Sequence, residues 1–392
     1  MSRSATECLP DSVVALWPPP ARVAVRWSKR DDETGYFVVP SMRNARLIVP
    51  IGVPGAERML VRHAGSPLIR AGRSLWRHAA SSRMSARLPV RRMCVQEESG
   101  GIEHHLATEL AQEIRIGVLL GPPRPNQKPV LQLFDGFGST LAFAKVGVTP
   151  LAAELLARET AALRLVTGVR RRTFEAPQVL SSESWRDLPV LVQRALPLSQ
   201  LRLPPKEPPV TVIAEIAGVA GIAIGPLGAS SLGAPVPVAD RWFGLDLQPF
   251  ERLRQRLSTH SSCPLGSWHG DFSPWNMASD GSTTQVWDWE RFEQRVPVGL
   301  DAAHYRIQHA VASLQEHSLA WQLATRDVGK VLTACGQAEQ HADVVAGTYL
   351  VMICRRYVGD AVEGPTPELR RRISWLAGLS AVAAAALEKG KT

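Results

Sequence analysis

Apolar residues in the middle of the chain fall into short runs that predict β-strands. Three such runs cover residues 114–120, 129–134 and 140–146, and segments rich in glycine, proline, asparagine or aspartate separate them. A stretch with apolar positions at helical spacing follows, from Ala152 to about Val166. This order predicts a three-stranded antiparallel meander with a helix directly after it.

The segments on either side of this meander also carry regular patterns. A helix is predicted from Ile102 to about Gln112, because apolar residues recur there at every fourth position. Residues 190–196 are typical of a further strand. Apolar helices are expected near the C-terminus, over residues 346–357 and 367–387.

The first hundred residues have a different character. A proline-rich loop at Trp17–Pro20 precedes two strand-like runs, at residues 36–40 and 46–50. A helical stretch is predicted after them, and its apolar positions are Leu68, Ile69, Leu75 and Trp76. No motif in this part points to a particular chemistry.

Positive charge is concentrated in this N-terminal part. Residues 1–100 contain 16 Arg or Lys and 8 Asp or Glu, whereas the net charge of the whole chain is +9. Nine arginines between Arg58 and Arg92 face no acidic residue, a composition suited to nucleic acid, acidic lipid or an acidic protein. A solvated arginine face is the simpler interpretation, because Trp76 alone provides no platform for base stacking. We therefore define residues 1–101 as a basic N-terminal extension and do not expect a nucleic-acid partner.

Composition narrows the class of protein. A chain of 392 residues with 45% hydrophobic residues can bury a large core in two or three structural units, which excludes a disordered protein. The five cysteines are scattered without a C-x-x-C pair, which favours a reduced, cytoplasmic setting. The N-terminus lacks the apolar run of a signal peptide, and the longest apolar stretches are too short or too polar for a membrane span.

The segment His269-Gly-Asp-Phe-Ser-Pro-Trp-Asn276 carries the main candidate chemistry, together with Asp288 twelve residues further on. Asp271 is a candidate general base, because a hydroxyl that attacks a phosphate must be oriented and must lose its proton. Asn276 and Asp288 offer an amide oxygen and a carboxylate to Mg²⁺. His269 is expected to brace the loop through hydrogen bonds. Packing, and not substrate contact, is expected of three tryptophans: Trp275, Trp287 and Trp289.

A lysine and a glutamate earlier in the chain fit the same chemistry. Lys145 ends the third predicted strand, and Glu159 lies in the helix that follows it. A lysine on a rigid strand can neutralise the α- and β-phosphates of a nucleotide, while a glutamate from a packed helix holds its ammonium group. Taken alone, the two residues are more simply explained as an ordinary surface lysine and a surface glutamate; ahead of the later motif, we interpret them as nucleotide-binding residues.

Residues from about Ile102 to Tyr305 resemble the aminoglycoside phosphotransferase and choline kinase family. The family pattern H-G-D-x-x-x-x-N corresponds to residues 269–276, and its downstream metal-binding aspartate corresponds to Asp288. The resemblance implies an α+β, two-lobed protein-kinase-like fold after the N-terminal extension. A small antiparallel β lobe with one helix is expected at residues 102–197, and a larger, mainly helical lobe at residues 198–392.

The same resemblance implies roles for individual residues, with ATP and Mg²⁺ as cofactors. Lys145 would contact phosphate with Glu159 as its partner, and Asp301 would buttress the catalytic loop. The chain would cross between the lobes after the strand at residues 190–196, where backbone groups meet the adenine edge. The hinge candidates are Gln193, Arg194, Ala195 and Leu196; an ordinary edge strand and loop is the alternative.

Departures from the protein-kinase pattern point to a small acceptor. Gly270 stands where protein kinases carry arginine, and about ten residues separate Asp288 from Gly299, which leaves no room for a phosphorylated activation loop. The loop at residues 121–128 is not G-x-G-x-x-G. Its polar residues could contact phosphate or be exposed turn residues: Arg124, Asn126 and Lys128.

Charge also bears on the acceptor. Residues 302–392 contain 10 basic and 8 acidic side chains, which argues against a polycation. The sequence therefore predicts an ATP- and Mg²⁺-dependent phosphotransferase acting on a hydroxyl of a small molecule, such as a sugar, an aminoglycoside-like compound or an amino alcohol. The alternative is a catalytically weak kinase-like binding module that engages an acidic partner through the basic extension.

Overall fold

The computed structural model describes residues 9–19, 21–28, 35–59, 90–96, 101–121, 127–197, 207–227, 232–233, 242–260, 262–279, 282–361 and 364–389. They belong to two compact units, one drawn from Met1–Thr160 and Gln178–Ala195 and the other from Ala161–Pro177 and Leu196–Thr392. The predicted helix around Leu68 and Trp76 lies outside the described residues, as do most of the arginines between Arg58 and Arg92.

In chain order, the described strands are β1 (Arg22–Ser28), β2 (Gly35–Val39), β3 (Leu47–Pro50), β4 (Val90–Gln96), β5 (Arg115–Leu119), β6 (Val130–Phe134), β7 (Thr140–Val146), β8 (Phe174–Glu175), β9 (Val179–Trp185), β10 (Leu188–Arg194), β11 (Ala223–Gly225), β12 (Cys263–Trp268), β13 (Met277–Ser279), β14 (Thr284–Val286) and β15 (Glu293–Pro297). The described helices are α1 (Asp11–Val14), α2 (Ile102–Leu110), α3 (Pro150–Gly168), α4 (Val210–Ala217), α5 (Gln248–Leu257), α6 (Leu300–Ser313), α7 (His317–Ala334), α8 (Ala342–Asp360) and α9 (Pro367–Lys389).

The first unit is built on a nine-stranded sheet with the order β1-β4-β2-β3-β5-β6-β7-β10-β9. The predicted meander is confirmed, because β5, β6 and β7 pair antiparallel in sequence order. The predicted helix after it is confirmed as α3, and the strand expected at residues 190–196 is β10, which ends two residues earlier. Local patterns were sufficient to predict these strands because each strand of the meander pairs with the next one along the chain.

The described part of the N-terminal extension continues this sheet. Its strand β3 pairs antiparallel with β5, through Leu47 opposite Leu119 and Ile48 opposite Val118. The hydroxyl of Tyr36 also donates to Glu103 of α2 at 3.2 Å. The division into an extension of unclear role and a lobe that begins at residue 102 remains a prediction, while in the fold both contribute strands to one sheet.

Alternation along the strands decides where Lys145 points. Ala144 and Val146 are fully buried in the hydrophobic cluster that also contains Ile102 and Leu106 of α2. Successive side chains of a strand lie on opposite faces, so Lys145 projects from the other face of the sheet. Strand β7 thus presents its lysine away from the α2 side.

The second unit is mainly helical, with two small sheets in the orders β11-β12-β15 and β13-β14-β8. Helices α6, α7 and α8 have long buried faces, and most residues of α6 are buried. A β-rich first unit and a mainly helical second unit confirm the expected α+β class. Among the described residues, no helix combines the length and apolar composition required to cross a membrane.

Candidate active site

The loop from His269 to Asn276 lies in the second unit and begins where β12 ends. Gly270 adopts a φ of 84°, in the left-handed region that favours glycine. A Cβ atom at Gly270 would lie 2.0 Å from the carbonyl oxygen of Arg291. The carbonyl of Gly270 also accepts a hydrogen bond from Arg356 Nη1 at 2.6 Å. No larger residue, arginine included, fits at Gly270 without displacing this backbone.

Asp301 holds the start of the loop in place through two hydrogen bonds. Its carboxylate accepts hydrogen bonds from the backbone N–H of His269 at 2.7 Å and of Gly270 at 3.1 Å. Asp301 lies in the first turn of α6, where the helix dipole favours negative charge. Burial nevertheless raises the pKa of Asp301 to about 7, against the opposing effects of the two N–H donors and Arg356. These contacts tie the loop to a buried helix.

His269 is fully buried and uses both ring nitrogens as a brace. Its Nδ1 accepts from the backbone N–H of Asp271 at 3.2 Å, so the proton lies on Nε2, which is 3.1 Å from the carbonyl oxygen of Trp287. Burial lowers the pKa of His269 to about 4, although the charges of Asp271 and Asp288 act in the other direction. The neutral imidazole of His269 therefore links the loop at residues 269–276 to the backbone just before Asp288.

Asp271 carries the partly exposed carboxylate of this loop, with 36% of its side chain accessible. Its Oδ2 accepts from Asn276 Nδ2 at 2.8 Å, and its Oδ1 lies 3.2 Å from His304 Nε2. Burial alone would raise the pKa of this carboxyl, but the interaction with His304 outweighs it and lowers the pKa below the usual range. Asp271 therefore presents an oriented, ionised carboxylate to solvent.

A hairpin brings Asn276 and Asp288 to the same end of β13 and β14. Met277 pairs with Val286, and just beyond that pair the N–H of Trp287 donates to the carbonyl of Asn276 at 3.1 Å. Asp288 follows with a left-handed φ of 72°, which turns the chain into the short helix Trp289–Arg291. The Asn276 Nδ2 group also donates to the carbonyl of Asp271 at 2.9 Å, so both amide hydrogens have acceptors and Oδ1 is left as a metal-ligand candidate.

Lys145 and Glu159 are brought together in the first unit. Lys145 Nζ lies 2.5 Å from Glu159 Oε1, and both side chains are buried. Lys128 Nζ lies 3.9 Å from the other oxygen of Glu159. Arg124 and Asn126, named with Lys128 as possible phosphate contacts, lie outside the described residues. A buried lysine with a fixed glutamate partner is a preorganised cation.

The hinge candidates, residues 193–196, end β10 and follow it. The N–H of Arg194 donates to the carbonyl of Gln178 at 2.8 Å, and the N–H of Ala195 donates to the carbonyl of Leu141 at 3.0 Å. Both donors are thus used within the sheet. Those two N–H groups are therefore not available to a nucleobase, and a contact would have to come from other groups of the segment.

The expectation that all three tryptophans of the segment are packing residues is wrong for Trp275. Trp289 is fully buried, stacks on Phe174 with ring centroids 5.8 Å apart and meets the ring of His269 edge-on at 4.6 Å. Trp275 is 58% exposed, in the loop between Asp271 and Asn276. Loop residues lack a periodic pattern, so no feature of the sequence indicates which tryptophan faces solvent.

Sequence reasoning also missed His304. It lies three residues after Asp301 on α6, a spacing that places both side chains on one face of the helix. From that face Asp301 reaches the N–H groups at the start of the loop and His304 reaches the carboxylate of Asp271. An Asp-x-x-His spacing downstream of the motif was the signal that could have revealed it.

The pH dependence of the unfolding free energy is expected to reveal the raised pKa of Asp301. A carboxyl whose pKa is raised from 3.8 to about 7 contributes stability at low pH, and that contribution is lost as the pH rises through 7. His269, with a pKa lowered from 6.5 to about 4, has the opposite sign and loses its contribution as the pH falls through 4. We expect the unfolding free energy of wild type minus that of Asp301→Asn to fall between pH 4 and 7, measured by urea denaturation.

Exposed Asp187 provides the control for this measurement. The same difference, measured for Asp187→Asn, supplies the reference curve for an Asp-to-Asn change at a surface position. A constant difference for Asp301→Asn across this range would contradict the raised pKa of Asp301.

Comparisons with solved structures return phosphotransferases. A choline/ethanolamine kinase family protein from Mesorhizobium loti is similar over 70% of this chain and 88% of its own, with 13% identity and a TM-score of 0.43. For the apo form of a thermostable mutant of aminoglycoside phosphotransferase APH(4)-Ia, the coverages are 73% and 99%, the identity 14% and the TM-score 0.46. The GDP complex of wild-type aminoglycoside 2'-phosphotransferase-IIIa is similar over 74% of this chain and 100% of its own, with 15% identity and a TM-score of 0.43. No family model and no curated protein matches the sequence.

Proposed function

We propose that this protein is an ATP- and Mg²⁺-dependent phosphotransferase that moves the γ-phosphate to a hydroxyl group of a small molecule. The carboxylate of Asp271 is the observation that carries the proposal. It is 36% exposed, is contacted by Asn276 and His304, and has a pKa below the usual range. An accessible, oriented and ionised carboxylate can align an alcohol with a phosphate and accept its proton.

The residues beside Asp271 fit a hard divalent cation. Asn276 and Asp288 supply an amide oxygen and a carboxylate, the ligand types that Mg²⁺ prefers, from the adjoining ends of one hairpin. In this proposal they hold the metal, while Asp271 remains the base. Bound Mg²⁺ would supply positive charge that offsets the charge of the phosphates during transfer.

In the first unit, Lys145 and Glu159 support nucleotide binding. The ammonium group of Lys145 is fixed 2.5 Å from Glu159, so it needs no reorganisation to meet the α- and β-phosphates of ATP. Residues 193–196 remain the proposed hinge, with the available backbone groups limited as described above. ATP is the proposed phosphate donor.

A small acceptor fits the short connection after Asp288. This connection contains the helix Trp289–Arg291 and strand β15 and reaches α6 without an intervening loop. A protein kinase orders a phosphorylated activation loop at this place. The excess of basic over acidic side chains in residues 302–392 favours neutral or anionic sugars and related alcohols over polycations.

Nucleotide binding and ADP release test the proposal together. Calorimetry should show binding of ATP that is strengthened by Mg²⁺ in the wild type, and Asp288→Ala should lose most of that strengthening. ADP release with Mg-ATP is then measured over a panel of neutral sugars, anionic sugars, aminoglycosides and amino alcohols. At least one acceptor should raise the rate above that without acceptor, with a product heavier by one phosphate.

Asp187 is an exposed aspartate of the first unit, so Asp187→Ala is the control for Asp288→Ala. This variant should retain the strengthening of ATP binding by Mg²⁺. Failure of the wild type to bind Mg-ATP would overturn the proposal and favour the binding module. Binding without turnover on any member of the panel would overturn the small-alcohol acceptor class as proposed.

A further inference from the structure

A buried chain of polar side chains runs from Asp271 into the helices of the second unit. His304 Nδ1 lies 3.2 Å from the hydroxyl of Tyr349, and that hydroxyl accepts from Gln308 Nε2 at 2.9 Å. Gln308 Oε1 in turn accepts from Arg372 Nη1 at 3.1 Å. His304, Gln308 and Tyr349 are each 4% exposed or less. Burying a polar group costs free energy unless it is hydrogen-bonded. The positions of these side chains therefore limit which atom of each one carries the hydrogen.

The direction of the hydrogen bonds is set by Arg372. A guanidinium group only donates, so the atom of Gln308 that faces it must be the carbonyl oxygen Oε1. Nε2 therefore faces the opposite way, where its two hydrogens meet the hydroxyls of Tyr349 at 2.9 Å and Tyr357 at 3.1 Å. The orientation of one amide follows from a charge at the far end of the chain.

That orientation decides the tautomer of His304. The Tyr349 hydroxyl already accepts from Gln308, so its own hydrogen is free to donate to His304 Nδ1. Burial raises the pKa of Tyr349 well above its usual value, which keeps this hydrogen in place. With Nδ1 acting as an acceptor, the single proton of a neutral imidazole lies on Nε2. Nε2 lies 3.2 Å from Asp271 Oδ1 without the angle of a formed hydrogen bond, and it has no hydrogen-bond partner among the described residues, so Asp271 is the acceptor within reach.

We propose that His304 is a positioning residue for Asp271, and that Arg372, Gln308 and Tyr349 fix its Nε2–H tautomer so that it always donates to the base. The inference rests on the phosphotransferase function proposed above. It assigns a role to residues far from the motif in sequence. The 3.2 Å contact is longer than a fully formed charge-assisted bond, as is common before the substrate is bound.

A neutral donor suits a base better than a cation would. A histidinium at residue 304 would oppose proton uptake by Asp271 and would leave the hydrogen of the buried Tyr349 hydroxyl without its acceptor. The Nε2–H donor instead fixes one carboxylate oxygen while Asn276 Nδ2 fixes the other. Remaining lone pairs of the carboxylate then face the exposed side, where the acceptor hydroxyl would arrive.

Kinetics provide the first part of the test. His304→Leu should lower kcat by roughly 10- to 100-fold, the usual effect of losing a residue that orients a functional group, with the KM for ATP little changed. His304→Gln should recover part of kcat, because a glutamine amide can reach the position of Nε2. His309→Leu, the same change at an exposed position of the same helix, should behave as wild type. An unchanged kcat in folded His304→Leu would refute the positioning role and leave the proposed function intact.

The tautomer is tested without any turnover. Long-range ¹H–¹⁵N NMR of the imidazoles should show a neutral Nε2–H ring that disappears in His304→Gln, which assigns it to His304. In Tyr349→Phe, Nδ1 loses its donor, so the ring should become a mixture of tautomers and kcat should fall. A wild-type ring with its proton on Nδ1, or an unaltered ring in Tyr349→Phe, would overturn the inference even if the protein had no measurable kinase activity. If His304→Leu fails to fold, His304→Gln and Tyr349→Phe decide the question.

Discussion

Asp271→Asn is expected to lower kcat for phosphoryl transfer by about 10²- to 10⁴-fold, the range lost with a general base. The amide keeps the shape of the side chain but cannot accept the proton of the acceptor hydroxyl. One of the two terminal atoms of the new side chain would also be an N–H₂ group, facing either Asn276 Nδ2, a donor in the wild type, or His304 Nε2, the donor proposed above. Affinity for Mg-ATP should change little, because Asn276, Asp288 and Lys145 are retained. Single-turnover rates and calorimetry measure the two quantities separately.

Asp187→Asn, the same substitution at an exposed position, is the matched control for Asp271→Asn and should retain full turnover. Turnover of Asp271→Asn at the wild-type rate would remove Asp271 as the base. Loss of Mg-ATP binding in that variant would instead indicate that Asp271 acts in metal or nucleotide binding.

Gly270→Ala is expected to cost about 3 kcal/mol or more in unfolding free energy and to abolish turnover. Two effects add at this position. The φ of 84° strains any residue with a side chain, and the new Cβ would lie 2.0 Å from the backbone oxygen of Arg291. Since the obstacle is backbone, relief requires moving the segment that follows Asp288 away from the loop. Chemical denaturation and kcat should therefore change together.

Gly221→Ala separates the two contributions to the Gly270→Ala effect. Gly221 has a φ of 82° but nothing within 4 Å of an added Cβ. Its replacement should cost only the backbone term, about 1 kcal/mol, and should leave turnover unchanged. Equal losses at both glycines would show that the close approach to Arg291 contributes nothing.

Sequence patterns predicted those parts of the molecule that neighbouring residues determine. The β5–β7 meander joins consecutive strands, so alternation and turn residues were enough to locate it. Asp271 and Asn276 were found because they share one loop and their spacing is characteristic. The pairing of β3 with β5 was not found, because it joins strands that are distant in the chain and periodicity carries no information about such partners.

The polar chain behind Asp271 was invisible for the same reason. His304 and Tyr349 lie 45 residues apart, and Gln308 and Arg372 lie 64 residues apart. Each of these residues sits in an amphipathic helix where a polar position is usually solvated. Only the packing of α6, α8 and α9 turns them into one hydrogen-bonded chain.

The pairing of β3 with β5 determines what would be exposed if the N-terminal extension were removed. Strand β3 satisfies backbone groups along β5 that would otherwise form an open edge, and such edges recruit strands from other molecules. Glu103 accepts hydrogen bonds from the hydroxyl of Tyr36 and from the N–H of Ile116. Removal of the residues before 102 would take away the Tyr36 donor. A chain shortened to begin at residue 102 would thus expose an adhesive strand. In the full chain, the backbone of β3 covers this edge of β5.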